Sequence, residues 1–231
     1  MIRKTLRKVI PTYAIMPLCL TGIMMACSYG LAKVIQAFIS FDPIDITSSM
    51  DAFFGFDPIW IWVYFGSYFF WIYQYTTIAR ESQEKACQLA VADAVAKMIC
   101  LIFFIAMPAT NVRPEIEGGG ISAELMRLLY WIDTPTNLFP SIHCFVAWMG
   151  TRYIFECKKL RYKWLVCILC FIGSVLVFLS TLHTKQHVVW DVLSGIAVAE
   201  IGWLVARFTK LPRLLEKLNE KFMQTKICKY L

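Results

Sequence analysis

Charge is scarce in this chain: Asp, Glu, Lys and Arg together make up 17% of its 231 residues. An ordinary soluble domain carries about 25%, so too few charges are present to coat a water-facing body of this size. No repeat, low-complexity linker or soluble domain is evident, and the same composition excludes a disordered or collagenous chain. Acidic residues are the rarer sign, 16 against 23 basic, which leaves a net charge of +7. On a soluble protein that excess would point to nucleic acid. Here it is read first against membrane topology, and no nucleic-acid partner is expected. Histidine is almost missing, with three in all. The polar stretches 39–57 and 109–139 contain no cysteine.

What is abundant is apolar. The set AVILMFWYC supplies 58% of residues, and mean hydropathy is +0.58. An all-α polytopic membrane protein fits these numbers. The nine cysteines do not form a disulfide framework on this reading. Cys19, Cys27, Cys100, Cys144, Cys167 and Cys170 lie in apolar runs, and Cys87, Cys157 and Cys228 lie near basic segments. An odd count in such places reads as small apolar filler.

A bilayer-spanning helix needs about 20 mostly apolar residues. Six segments qualify, near 11–38, 58–78, 88–108, 140–157, 164–182 and 187–208, with Trp60, Trp62 and Trp164 at segment ends. The first follows Arg3, Lys4, Arg7 and Lys8, lacks a small-residue cleavage pattern, and is expected to be an uncleaved anchor. With the N-terminus inside, segments 1–10, 79–87, 152–163 and 207–231 hold 4, 2, 5 and 7 Lys/Arg, 18 in all. The outside segments hold three: Arg113, Arg127 and Lys185. The bias predicts a six-helix bundle over 1–208 with both ends cytoplasmic. From Leu211, the residues Leu214, Leu215, Leu218 and Phe222 recur at helical spacing among Arg213, Lys217 and Lys221. Residues 209–231 therefore read as a basic amphipathic cytoplasmic tail, lying on an anionic leaflet or packed on the bundle.

The expected topology puts His143, His183 and His187 all at outer helix ends. Ionisable residues at membrane depth are costly and point to function. His187 and Asp191 are four apart, on one helical face, where the carboxylate can fix the imidazole tautomer and make the other nitrogen a better nucleophile. Alone, the pair is equally a surface hydrogen bond. Pro140-Ser141-Ile142-His143 opens the fourth span, and free N–H groups at a helix start make an anion site. Arg113-Pro114, just beyond the third span, offers a planar fork to phosphate oxygens or to lipid headgroups.

Taken together, the three elements resemble the type-2 phosphatidic acid phosphatase superfamily, whose motifs run K-x6-R-P, P-S-x-H and S-R-x5-H-x3-D. The matching residues are Arg113-Pro114, Pro140-Ser141-Ile142-His143, and Ser180-Thr181 with His187 and Asp191. The form is similar to bacterial members with Lys-Gln-His in the third motif. Two motif cations are missing: Ala106 stands where the first motif has lysine, and Thr181 where the third has arginine. Lys185 is expected to supply one of them.

The resemblance implies a metal-independent, cofactor-free phosphatase acting on a lipid phosphate in the bilayer, in the setting of a bacterial inner membrane with the site facing outward. His187 would be the nucleophile, Asp191 its orienting partner and His143 the acid and base. Arg113, Lys185 and Ser141 would hold the phosphoryl oxygens. Polyprenyl pyrophosphate, phosphatidic acid and phosphatidylglycerophosphate all fit as substrates. Other readings stay open. A phosphotransferase would pass the same phosphoryl or phospho-headgroup to an alcohol, as in the related inositol-phosphorylceramide synthase branch. His183, His187 and Asp191, spaced four and four, could hold zinc on a continuous helix. A transporter or scaffold would explain the helices but not the motifs.

Overall fold

Backbone polar groups in an apolar environment must pair within their own segment, so long apolar runs become helices. The computed structural model describes residues 10–38 and 42–225. The basic start (Arg3, Lys4, Arg7, Lys8), Cys228 and the end of the tail lie outside the described residues. In chain order the helices are α1 (Thr12–Phe38), α2 (Ile61–Glu81), α3 (Gln83–Ala106), α4 (Ile121–Ile132), α5 (Ile142–Ile154), α6 (Lys163–His183), α7 (Val189–Phe208) and α8 (Leu211–Met223). Single 3-10 turns at Ser49–Phe53 and Pro58–Trp60 lie between α1 and α2. Two short strands, β1 (Ile44–Asp45) and β2 (Ala109–Thr110), pair in parallel.

The chain is an all-helical membrane protein. Among the described residues, four helices, α1, α3, α6 and α7, are long and apolar enough to cross a bilayer. Two expected spans look different. α2 has 21 residues, but Gln74, Thr76, Thr77 and its tyrosines dilute its apolar character. α5, expected over 140–157, has only 13 residues, about 20 Å at 1.5 Å per residue against a hydrocarbon core of about 30 Å. Both its ends have a physical stop. Ser141 Oγ accepts the Cys144 amide at 3.3 Å at the start. Beyond the other end, the Glu81 carboxylate accepts the amides of Lys158 (2.9 Å) and Lys159 (3.1 Å) and turns the chain.

α5 is the axis of the bundle, with ten of its 13 residues buried and α2, α3, α6 and α7 packed about it. Two glycines let helices close in. A Cβ at Gly202 would lie 2.4 Å from Ala92 O, where α7 meets α3. A Cβ at Gly195 would lie 2.7 Å from Ser141 O, where α7 meets the start of α5. α1 rests on α3, tied by a fully enclosed ion pair. Lys97 Nζ donates to Asp93 Oδ2 (2.6 Å) and to Thr21 O on α1 (2.8 Å). Tyr75 of α2 donates to Asp93 Oδ1 at 2.8 Å.

The polar stretch 109–139 contains a helix that the span pattern does not announce. α4 turns Met126 and Leu129 inward against Ile61 and Tyr64. In the tail, α8 docks on the bundle through buried Pro212 and Asn219. Asn219 Nδ2 donates to Tyr13 O of α1 at 2.6 Å, while Leu211, Leu214 and Leu218 stay exposed.

Candidate active site

The turn between α6 and α7 carries His187, and the first turn of α7 carries Asp191. One helical step brings the carboxylate under the imidazole: His187 Nδ1 lies 3.1 Å from Asp191 Oδ2. The same oxygen accepts the Val188 amide at 3.0 Å, so the ring and the start of α7 are fixed by one group. Asp191 is fully buried and His187 is 7% exposed. Nδ1 is the nitrogen facing an acceptor, so it carries the proton, and Nε2 keeps its lone pair.

α5 delivers His143 to the same place. The two imidazole centroids are 5.9 Å apart. His143 sits in an aromatic box built by α2, stacked on Tyr64 at 4.5 Å, with Trp71 at 5.0 Å and Tyr68 edge-on at 5.8 Å. The Tyr68 hydroxyl lies 3.5 Å from His143 Nε2. These rings enclose the imidazole and fix its plane, so His143 meets the cavity in one orientation.

Arg113 reaches in from the segment after β2. Its guanidinium donates to Asp133 O at 2.6 Å and to Gln186 Oε1 at 2.9 Å, and lies over the Tyr130 ring at 4.6 Å. Burial lowers its pKa from the ordinary value, with Asp133 opposing the shift. A guanidinium keeps its charge near neutral pH regardless. Among the described residues, four donors of side chains at this site have no partner: Arg113 Nε, Gln186 Nε2, Asn137 Nδ2 and Trp71 Nε1. Gln186 is 2% exposed. Buried donors without acceptors mark a place where an acceptor belongs.

These groups share one cavity of about 620 Å³, lined by His143, His187, Arg113, Gln186 and Asp133 among mostly apolar side chains. A few convergent polar groups in an apolar cavity are the usual makeup of a small-molecule site.

Of the residues expected from sequence, His143, His187 and Arg113 line this cavity, and Asp191 stands behind His187. Lys185 and Ser141 do not line it. Lys185, with φ 52, turns its ammonium to the backbone oxygens of Asp51 (3.2 Å) and Phe54 in the loop between α1 and α2. Ser141 is fully buried beneath the site, where its amide donates to Asp191 O at 3.2 Å. The zinc arrangement is broken up. His183 turns away, stacks on Trp60 at 4.8 Å and holds Gly55 O at 2.7 Å through Nδ1. Among the described residues, no three His, Cys, Asp or Glu side chains are grouped to hold a metal ion.

Tyr64, Tyr68, Trp71, Asp51, Asp133 and Gln186 were not singled out from sequence. Tyr64, Tyr68 and Trp71 had a signal, since positions four and seven apart share a helical face. Asp51 had none. Its Oδ1 accepts the Val189 amide at 2.8 Å across 138 positions of chain.

Compared with protein-family models, with curated proteins and with solved structures, the chain finds no match.

Proposed function

We propose that this protein is a membrane-embedded lipid phosphatase that hydrolyses a phosphomonoester or pyrophosphate through a phosphohistidine on His187. The carrying observation is the His187–Asp191 pair: Nδ1 is held at 3.1 Å, and the ring's other edge faces the cavity shared with His143 and Arg113. The Nε2 lone pair attacks phosphorus while the bond to the leaving oxygen breaks. Asp191 stabilises the charge that develops on the ring. His143, taking up a proton as the anionic phosphate binds beside it, gives that proton to the leaving oxygen. It then takes a proton from water, hydroxide attacks phosphorus, and the P–N bond breaks to restore His187. Arg113 and Gln186 hold the phosphoryl oxygens, since donors aimed at developing charge in a water-poor site count for more than in bulk.

The same reading carries the topology. Six passes, with α2 and α5 as the two beyond the four apolar helices, put both chain ends on the cytoplasmic side and the His187 end outward. A bacterial inner membrane is the proposed setting. The basic bias of the loops supports this orientation.

A phosphotransferase is the second reading, favoured by Asp133. Its carboxylate lines the cavity and accepts from Tyr29, so it offers a base to an acceptor hydroxyl. One experiment decides both. The purified protein is given phosphatidic acid, phosphatidylglycerophosphate and undecaprenyl pyrophosphate, with and without alcohols, and inorganic phosphate and phosphate esters are counted. Inorganic phosphate in the presence of chelator supports the phosphatase. Ester formation without free phosphate supports the transferase. Near-wild-type turnover by His187→Ala would sink the covalent scheme.

A further inference from the structure

The cavity runs between two helices that barely touch. α1 packs on α3 and makes few contacts with α2, yet both contribute one face to the cavity. Ala26, Tyr29 and Gly30 line it from α1, and Tyr64, Tyr68 and Trp71 from α2. Ala26, Gly30 and Tyr68 are also exposed on the flank of the bundle, with Tyr68 44% exposed. The same side chains therefore face the cavity and the surroundings of the bundle, so the cavity opens sideways.

Above this opening α1 is tied to the segment after α4. The Tyr29 hydroxyl donates to Asp133. Lys33 Nζ donates to Thr134 Oγ1 at 2.7 Å and to Thr136 Oγ1 at 3.0 Å. These bonds join α1 to the segment after α4 and roof the site with polar groups. Below the roof the walls are apolar. Ala26 lies seven residues from Lys33, and Trp71 seven from Tyr64, so each wall descends about 10 Å along its helix. At Gly30 an added Cβ would meet nothing within 4 Å, so the α1 wall is open there.

We propose that the fissure between α1 and α2 is a lateral portal that seats the first part of the hydrocarbon chain of a lipid phosphate whose phosphoryl group rests at His187. This rests on the phosphatase reading above. A chain that enters sideways stays in hydrocarbon throughout, whereas entry through the roof would draw it past Lys33 and Asp133 and through water. Arg113 and Gln186 at the inner end match the charge of the headgroup. The apolar walls match an acyl or prenyl chain without choosing between them.

The test uses the full chain in liposomes with two substrate pairs: dioleoyl and dibutyryl phosphatidic acid, and undecaprenyl and dimethylallyl pyrophosphate. Ala26→Trp and Gly30→Trp plug the fissure at a distance from His187. Phosphate release from the long-chain member of whichever pair is cleaved should fall about thirtyfold more than release from the short-chain member. Phe69→Trp, on the exposed side of α2, should leave both rates unchanged. Equal losses on long and short substrates, or no loss on either, overturn the portal. A wild-type protein that cleaves neither member of either pair overturns the phosphatase reading itself. If a tryptophan variant does not fold, Ala26→Leu and a second measurement replace it. Phosphatidic acid with a diazirine near the head of its acyl chain should cross-link to segments 25–30 and 64–71 of the wild-type protein. Cross-links confined to α6 or α7 overturn the portal.

Discussion

The Lys185 ammonium rests 3.2 Å from the main-chain oxygen of Asp51, while the Asp51 carboxylate accepts the Val189 amide at 2.8 Å. These two residues, far apart in sequence, clamp the turn that carries His187 from both sides. The 3-10 turn at Ser49–Phe53 is itself shaped by Asp51, whose Oδ2 accepts the Ser48 amide and hydroxyl at 2.8 Å each. Lys185 thus acts on His187 through the loop, and both residues hold the turn on which the proposed nucleophile sits.

That geometry separates a clamp from a phosphate ligand. Lys185→Ala and Asp51→Ala should each lower kcat by tenfold to about a hundredfold, since a displacement of about 1 Å at the reacting group has that effect. KM should change little. A Lys185→Ala variant with a greatly raised KM and near-normal kcat would return the ammonium to the substrate. Asp51→Asn should recover part of the rate, because its side-chain oxygen can still accept the Val189 amide.

The proposed catalytic pair, His187 and Asp191, gives a second set of outcomes. His187→Ala should remove turnover and the acid-labile labelled phosphoenzyme together. Asp191→Asn should fold and lose most of its rate, with the imidazole left in mixed tautomers. His143→Ala should harm monoesters more than pyrophosphates, because an alkoxide leaving group needs a proton and a phosphate leaves with less help. Equal damage to both substrate types would remove the proton donor role from His143.

Arg113 and Gln186 are expected to differ in kind. Removing one preorganised donor typically costs a hundredfold or more in rate, and Arg113→Ala should fall in that range. Arg113→Lys should recover little, since a point charge cannot bond Asp133 O and Gln186 Oε1 at once. Gln186→Ala should lose less, about tenfold. Steady-state kinetics on the cleaved lipid check all three, and a silent Arg113→Ala would leave the phosphoryl group without its cation.

Much of this site is legible in the sequence because its information is local. The spacing of His187 and Asp191 fixes a shared helical face, and Pro140-Ser141 fixes a helix start one step before His143. Lys185 is the contrasting case: its distance from His187 is fixed by sequence, but its direction is set by a turn more than 130 positions away. α5 is shorter than its apolar run because Glu81 captures the backbone of Lys158 and Lys159, a tertiary event no periodicity records. α4 escaped notice because Met126 and Leu129 form too short an apolar stripe to stand out within a polar stretch.

The enclosed Asp93–Lys97 pair makes a prediction about stability. Removing one partner of a buried pair leaves a bare charge and costs roughly 3–5 kcal/mol. Lys97→Met should therefore lower the thermal midpoint in detergent by about 10 °C. It also frees Thr21 O and so loosens α1. Asp93→Asn combined with Lys97→Met should recover much of the loss, because no charge is then stranded. An unchanged midpoint for Lys97→Met would mean that α1 is held to α3 by packing alone.

Orientation decides which compartment the site serves. Gly119 is exposed in the segment between β2 and α4, on the His187 side of the bundle. Lys210 is exposed between α7 and α8, at the opposite end of α7 from Asp191. The loop charges predict that the first faces outward and the second faces the cytoplasm. In a variant whose native cysteines are replaced, Gly119→Cys should react with an impermeant maleimide in intact cells. Lys210→Cys should react only after permeabilisation. Phosphate release by the labelled variants shows that the fold survived the replacements. The reverse labelling pattern would place His187 on the cytoplasmic side and restrict the substrate to lipids of the inner leaflet. Labelling of both positions in intact cells would contradict six passes, since an even number of crossings must lie between the outer loop and an outward-facing tail, and α5, α6 and α7 make three.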